Sequence, residues 1–242
     1  MKHKKLLITL SLLLGTLILL FAAFFIYVGT YYRAHNDAID AFEYTGFEVQ
    51  ELDGDATAFV PQAGYTNGII FYPGGKVEHT AYIPLMESLA SKGVLTILVK
   101  MPFNLAVFDI NRADGLRDSF DSVKHWYMAG HSLGGSMACE YAYDNKDSFD
   151  GIILLAAYSA CDLSKTNLRV LSIYGSNDEV LNKEKYEDSR SNLPSNFTEH
   201  VIDGGNHAQF GVYGEQKGDG VSIITHKEQI EETTKAIVNF IN

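Results

Sequence analysis

The sequence predicts an α/β fold: a mostly parallel, twisted sheet of about eight strands with helices on both faces, and one additional helix at the N-terminus. Two observations predict it. Short apolar runs of strand length alternate with segments of helical spacing, a pattern typical of parallel sheets whose two faces are covered. The 242 residues are also 46% hydrophobic and 20% charged, which indicates a globular chain and excludes a disordered one.

The N-terminal region predicts a transmembrane signal-anchor helix over residues 6–28, which form an uncharged apolar run. A helix of this length covers roughly 35 Å, enough for a hydrocarbon core of roughly 30 Å. Three lysines in residues 1–5 precede the run, and all 30 acidic residues follow it. The positive-inside rule therefore predicts a single-pass protein of the cell membrane, with residues 1–5 in the cytoplasm and the rest outside. A cleaved signal peptide is the alternative, but its apolar region usually spans only about 7–15 residues.

The first half of the predicted domain begins after a juxtamembrane linker of residues 29–45. Two strands at 46–52 and 57–60 form a hairpin, because Asp53-Gly54 between them is a turn sequence. The next elements are a strand at 68–72 that ends at Pro73-Gly74-Gly75, a helix at 79–91 that ends before Gly93, a buried strand at 94–99, and a weaker helical pattern at 104–121.

The second half of the domain, which ends at residue 242, has the same alternation. The final helix is amphipathic, with Ile230, Thr234, Ile237 and Phe240 on one face. The predicted elements of this second half are strands at 125–129, 152–156, 170–174 and 199–202 and helices at 133–143 and 226–241. Since parallel sheets place their sites at the carboxyl ends of strands, the loops there are the candidates for function.

The strongest chemical signal is the segment Gly130-His131-Ser132-Leu133-Gly134, which follows an apolar strand and precedes a helix. This context is typical of a nucleophile elbow, in which a serine lies on a sharp turn and glycines on either side avoid steric clashes. Such a turn exposes the Ser132 hydroxyl and directs the amide of Leu133 towards a developing oxyanion. We expect His131, inside the elbow, to pack beneath it.

With three further segments, this elbow resembles the α/β-hydrolase fold family, and more narrowly its small, lidless, dienelactone-hydrolase-like bacterial members. The resemblance covers residues 46–242. It implies a serine hydrolase whose nucleophile, acid and base follow in the order Ser, acid, His. The further segments are Phe71-Tyr72-Pro73-Gly74-Gly75, Tyr174-Gly175-Ser176-Asn177-Asp178 and Gly204-Gly205-Asn206-His207.

The predicted nucleophile needs a base and an orienting acid, because a serine hydroxyl is a poor nucleophile at neutral pH. His207 is the candidate base, since it follows a strand and lies in a glycine-rich loop that can bend back over Ser132. Asp178 is the candidate acid, because the family places its acid in this G-x-x-D turn. Asp162, after the preceding strand, is the reserve candidate.

The resemblance implies a second oxyanion amide from the turn at 73–76, supplied by Gly75 or Lys76. The loop at 210–224 directly follows the candidate base, so we expect Phe210 and Tyr213 to line a substrate pocket, together with Lys76. The segment before the acid strand is too short to hold a lid domain. This favours a small or exposed acyl group over a bulky lipid.

The predicted function is that of a membrane-anchored serine hydrolase that cleaves a carboxylic ester, in a small molecule or in the cell envelope. Amide or peptide cleavage by the same residues, and a non-catalytic receptor or scaffold, are the alternatives. We expect no metal and no cofactor, since the sequence has no zinc-ligand spacing and no nucleotide-binding glycine pattern. The charge of −11 argues against nucleic acid. Cys139 and Cys161 are either reduced core residues or a pair.

Overall fold

The computed structural model describes residues 2–53 and 55–242, which fall into one unit up to Tyr31 and another from Tyr32 to Asn242. The first unit contains helix α1, Lys2–Gly29. This helix is long and apolar enough to cross a membrane, and an N-terminal signal sequence would meet the same description. It therefore has the properties of either an anchor or a signal sequence.

The second unit is built on one sheet of eight strands in the order β1-β2-β4-β3-β5-β6-β7-β8. The hairpin β1–β2 is antiparallel and β2 pairs antiparallel with β4, whereas all pairs from β4 to β8 are parallel. The strands are β1 Phe47–Leu52, β2 Ala56–Pro61, β3 Asn67–Tyr72, β4 Leu95–Val99, β5 His125–His131, β6 Gly151–Leu155, β7 Arg169–Gly175 and β8 Thr198–Ile202.

Helices cover both faces of this sheet, and the alternation of strand side chains divides the core between them. On β3, Ile69 and Phe71 pack in the cluster that contains residues of α3 and α6, whereas Ile70 and Tyr72 pack in the cluster that contains α4. The helices are α2 Asn36–Ile39, α3 Ile83–Ser91, α4 Leu133–Asp144, α5 Lys183–Ser189 and α6 His226–Ile241. The predicted fold class is confirmed.

Strand register positions the candidate site. Tyr72, the last residue of β3, pairs with Gly130 near the end of β5. The turn after β3 and the turn after β5 therefore emerge side by side at the carboxyl edge of the sheet. The loops that follow β7 and β8 emerge at the same edge, because these strands run parallel to β5.

The helices differ from the prediction in two places. The segment 104–121 contains only short 3₁₀ turns, Ala106–Phe108 and Leu116–Ser119, because positive φ angles at Asn104 (56°) and Gly115 (76°) interrupt any α-helix. Conversely, α5 was not predicted. Its sequence is largely charged and buries only Tyr186 and Ser189, so it has no apolar period, and the Asn182 side chain caps it instead.

Residues of the predicted linker make backbone contacts with the domain. Tyr32 forms a β-bridge with Val77, and its amide donates to the Lys76 carbonyl at 2.8 Å. The amide of His35 donates to the Val212 carbonyl at 2.9 Å. The second unit thus begins at Tyr32, while a domain boundary at residue 46 stays a prediction.

Candidate active site

Ser132 lies in the sharp turn between β5 and α4, with φ 51° and ψ −124°. A residue with a side chain pays for positive φ in backbone strain, and such strain is characteristic of functional turns. The Ser132 amide donates to the Leu155 carbonyl at 2.9 Å, which fixes the turn to β6. A Cβ atom on Gly130 would lie 2.6 Å from the Gly134 carbonyl group, so this turn requires glycine.

The structure brings His207 and Asp178 together at the ends of β8 and β7. Nδ1 of His207 lies 2.9 Å from Oδ2 of Asp178, and their side chains are only 1% and 0% exposed. The other carboxylate oxygen of Asp178 accepts the amides of Val180 at 2.9 Å and Leu181 at 2.8 Å. Both oxygens of the carboxylate are therefore engaged, and its orientation towards the imidazole is fixed.

The second imidazole nitrogen of His207 is available for chemistry. Nε2 is buried and has no hydrogen-bond partner among the described residues. His207 and Ser132 line the same cavity of about 390 Å³. An imidazole held at Nδ1 by a carboxylate, with Nε2 unengaged and a serine in the same cavity, can act as a general base.

Asp162, the reserve acid, is not brought to His207. It lies in an exposed loop, where Oδ1 accepts the amide of Ser164 at 3.0 Å and the Ser164 hydroxyl at 2.5 Å. These hydrogen bonds lower the pKa of the Asp162 carboxyl. Asp162 thus stabilises a turn and has no part in the site.

His131 packs beneath the elbow, as expected. Its Nδ1 lies 2.8 Å from the Tyr82 hydroxyl, and its ring centroid lies 4.5 Å from that of His207. Burial, and then the neighbouring His207, hold the pKa of His131 well below its usual value, so the ring is neutral. The Tyr82 hydroxyl also accepts the Gly74 amide at 3.0 Å, so this network connects the β3 turn to the base.

Hydrogen bonding distinguishes between the two proposed oxyanion donors in the β3 turn. The Lys76 amide donates to the Asn104 carbonyl at 2.7 Å and is thereby engaged. That leaves Gly75 as the candidate. A Cβ atom on Gly75 would lie 2.8 Å from Cδ2 of Leu133, so the Leu133 side chain packs against the Gly75 backbone. The Leu133 amide is at the N-terminus of α4, where amides lack an intrahelical acceptor and negative charge is favoured.

The cavity beside Ser132 has walls that are mainly apolar and a polar end formed by Asn182 and Lys185. Its apolar residues come from α4, the end of β6 and the loop after Asp178. They include Leu133, Met137, Ala156, Ala157, Val180 and Leu181. The walls can thus accommodate an apolar group.

The predicted pocket residues lie elsewhere. Phe210 and Tyr213 are 0% and 3% exposed and belong to the core, Phe210 against His131 and Tyr213 against Tyr32. Lys76 is half-buried in the β3 turn and is not among the described residues that line the cavity. The expectation was wrong because the chain after His207 turns inward through the 3₁₀ turn Ala208–Phe210.

Two residues that sequence reasoning missed hold the loop of the candidate base. The Asp219 carboxylate accepts the amides of His207 at 3.2 Å and Ala208 at 2.8 Å. The side chain of Gln229, fully buried in α6, accepts the Asn206 amide at 3.0 Å and donates to the Asn206 carbonyl at 2.8 Å. Two features of the sequence could have identified them: Asp219 lies between two glycines, and Gln229 lies on the buried face of the final helix.

A family model described as the Alpha/beta hydrolase family matches residues 68–231, more than half of the chain. The chain belongs to the alpha/beta hydrolase family. The matched segment includes Ser132, Asp178 and His207, and it confirms the predicted family. The protein is accordingly a hydrolase of the α/β fold family.

Solved structures share this fold. Dienelactone hydrolase from Anabaena variabilis is 15% identical, with a TM-score of 0.61, over 82% of this chain and 100% of that one. Est1E from Butyrivibrio proteoclasticus is 18% identical, with a TM-score of 0.58, over 81% and 99%. A predicted CIB-like hydrolase from Thermoplasma acidophilum is 18% identical, with a TM-score of 0.55, over 80% and 97%. No curated protein sequence matches the chain.

Proposed function

We propose that this α/β hydrolase is a serine hydrolase that cleaves a carboxylic ester through an acyl-enzyme intermediate. The observation that carries the proposal is the buried His207–Asp178 pair, joined at 2.9 Å, whose imidazole lines the same cavity as Ser132. Ser132 is the nucleophile, His207 the general base and Asp178 the acid that orients it.

In the first step, Oγ of Ser132 attacks the ester carbonyl carbon while Nε2 of His207 accepts the hydroxyl proton. The Asp178 carboxylate keeps the proton on Nδ1 and stabilises the imidazolium that forms. The carbonyl oxygen becomes an oxyanion, and the amides of Leu133 and Gly75 donate to it. Donors that are already in place cost no reorganisation during the reaction, which is why such a pair contributes strongly to the rate.

In the second step, the tetrahedral intermediate collapses and His207 returns its proton to the departing alcohol. The acyl group remains on Ser132 as an ester. Water then attacks this acyl-enzyme while His207 accepts one of its protons, and His207 returns that proton to Oγ of Ser132 as the carboxylic acid leaves. No other group is required to balance the protons.

The substrate class follows from the cavity and the chain around it. Only residues 156–168 lie between β6 and β7, which is too short for a lid domain. The cavity of about 390 Å³ is at the small end of the range for ligand sites. A short acyl group on a small-molecule or cell-envelope ester suits it better than a long lipid chain.

The proposal includes membrane anchoring by α1, with the N-terminus in the cytoplasm and the hydrolase domain outside. The three lysines before the apolar run support this orientation. Protease added to intact cells should remove the domain and leave the N-terminus protected. A soluble mature form that starts near residue 30 would instead identify a cleaved signal sequence.

The deciding experiment is covalent labelling of the full chain with a fluorophosphonate, which reacts with activated serines. We expect the wild type to be labelled and Ser132→Ala to lose both labelling and at least ~10³-fold in turnover. Ser136→Ala is the matched control, because Ser136 lines the same cavity and donates to the Tyr158 carbonyl at 3.0 Å. It should keep its label.

Labelling of Ser132→Ala at wild-type level would overturn the assignment of the nucleophile. A panel of short-chain and long-chain esters, matched amides and peptides then tests the substrate class. Faster turnover of amides than of matched esters would replace the ester proposal with an amidase. Absence of both labelling and turnover in a folded wild type would point to a non-catalytic role.

A further inference from the structure

Two cysteines that the proposed reaction does not use lie in contact behind the cavity. Cys139 is on α4, about two helical turns after Ser132, and Cys161 follows β6. Their Sγ atoms are 2.9 Å apart although the residues are 22 apart in the sequence. Cys139 is buried and Cys161 is partly exposed. Cys161 is therefore the more accessible residue of the pair.

The same contact holds one wall of the cavity. The Ser159 hydroxyl lies 3.2 Å from Sγ of Cys139 and donates to the Cys161 carbonyl at 2.6 Å. Tyr158 and Ala160 lie between the end of β6 and Cys161, and both line the cavity that contains Ser132. The segment 158–161 is thus held against α4 by the cysteine pair at one end and by the Ser136 hydrogen bond to the Tyr158 carbonyl at the other.

In the reduced pair the two thiols differ in acidity. The hydrogen bond from the Cys161 thiol lowers the pKa of Cys139 to about 7 against the opposing effect of burial. The same bond and burial raise the pKa of Cys161. Once Cys161 is oxidised, Cys139 is the thiol in contact with its sulfur, at 2.9 Å, and it therefore supplies the attacking sulfur as a thiolate.

We propose that Cys139 and Cys161 form a disulfide bond in an oxidising environment, and that this bond fixes the cavity wall at residues 158–161. The oxidant is a disulfide, of a small molecule or of a thiol oxidoreductase. Cys161 first exchanges with it, forming a mixed disulfide and releasing one thiol. The Cys139 thiolate then attacks Sγ of Cys161, forms the internal bond and expels the second thiol.

This exchange balances: two electrons and the two thiol protons pass to the oxidant, which leaves as two thiols. The inference rests on the geometry of the cysteines and not on the proposed ester hydrolysis. Its tests therefore measure covalent state, stability and local opening, all of which can be read in an inactive protein such as Ser132→Ala.

The experiment uses the full chain in detergent, first reduced and then exposed to oxidised glutathione. After acid quenching and denaturation, free thiols are alkylated and the peptides are analysed by mass spectrometry without reductant. We expect a Cys139–Cys161 cross-linked peptide and no alkylation of either residue. The oxidised form should melt roughly 5–10 °C above the reduced form, because the bond restricts the unfolded chain.

Cys161→Ser is the matched control, since it removes the partly exposed thiol and retains a hydroxyl. It should form no internal cross-link and show no rise in melting temperature on oxidation. Amide hydrogen exchange at residues 158–161 should slow in the oxidised wild type and remain unchanged in this variant. Complete alkylation of both cysteines after oxidant treatment, or a bond that joins either of them to another molecule, would overturn the proposal.

Discussion

The nucleophile side and the base side of the proposed site are held in place by different means. Ser132 is fixed by backbone alone, through a positive φ, an amide bond to Leu155 and close approach of neighbouring glycine backbones. His207 is fixed by side chains that reach its loop from elsewhere, with Gln229 acting on Asn206 from 23 residues away. The first arrangement is local in sequence and rigid by sterics, whereas the second depends on separate polar groups that can be removed one at a time.

The largest expected effect concerns the acid on the base side. Asp178→Asn keeps the shape of the side chain but loses the charge that orients and stabilises the imidazolium. We expect kcat to fall by up to ~10⁴-fold with a smaller change in KM, measured on the best ester of the panel.

Asp162→Asn is the matched control for this substitution, because its carboxylate bonds only within an exposed turn. It should retain most activity. If Asp162→Asn were the inactive variant, the acid would belong after β6. If neither mattered while Ser132 and His207 did, the site would work as a Ser-His dyad.

The steric character of the nucleophile side predicts a folding defect in Gly134→Ala. A Cβ atom there would collide with the carbonyl oxygens of Tyr72 and Pro73. We expect the free energy of unfolding to fall by at least about 2–3 kcal/mol, measured by urea denaturation, together with loss of fluorophosphonate labelling. Gly15→Ala, where a Cβ atom meets nothing within 4 Å, should have no such effect. Wild-type stability in Gly134→Ala would contradict the steric account.

Because the base side is held by separate polar groups, we expect substitutions at Asp219 to lower kcat by an amount that depends on how much of the acceptor is lost. Asp219→Ala removes the acceptor of the His207 and Ala208 amides, so the imidazole is held less precisely. We expect kcat to fall roughly 10- to 100-fold with little change in KM, and the free energy of unfolding to fall by about 1–3 kcal/mol, because two buried amides lose their acceptor. Asp219→Asn, which keeps one acceptor oxygen, should recover part of the loss. Asp203→Ala, an exposed carboxylate in the same loop, is the control. Equal rates for all three variants would remove Asp219 from the site.

The smallest effect is a pH dependence of stability from His131, which joins the two sides through Tyr82 and His207. Its folded pKa is depressed by burial and by His207, while the unfolded pKa is about 6.5. Below pH about 6.5 the unfolded chain binds a proton that the folded protein does not, so stability falls as the pH falls. His79 and His226, whose pKa values are also lowered by burial, act in the same direction.

In His131→Gln this dependence should weaken by up to about 1.4 kcal/mol per pH unit between pH 5 and pH 6.5. The measurement is urea denaturation across that range. Identical slopes for the variant and the wild type would show that His131 is not buried in its neutral form.

The features that could be predicted from the sequence were mostly those formed by residues close together in the chain. The strand, the glycines and the helix around Ser132 are contiguous, so the elbow was evident before the fold was known. Asp178 and His207 were placed by the ends of their strands, and the structure brings them together. The inward packing of Phe210 and Tyr213 and the reach of Asp219 and Gln229 were not predictable, because long-range packing decides which way a loop residue faces.

The backbone bonds of Tyr32 and His35 bear on how the protein could be released from its N-terminal helix. A cut at residue 30 leaves both residues on the domain, with Tyr32 still bonded to Lys76 and His35 to Val212. A cut at residue 46 removes them and leaves the Lys76 carbonyl, in the turn that contains Gly75, without the Tyr32 amide as its donor. A shed form that begins near residue 30 should thus keep the turn after β3, which contains Gly75, intact, whereas one trimmed to residue 46 should not. We accordingly expect an anchored form and a form shed at residue 30 to have the same hydrolase activity.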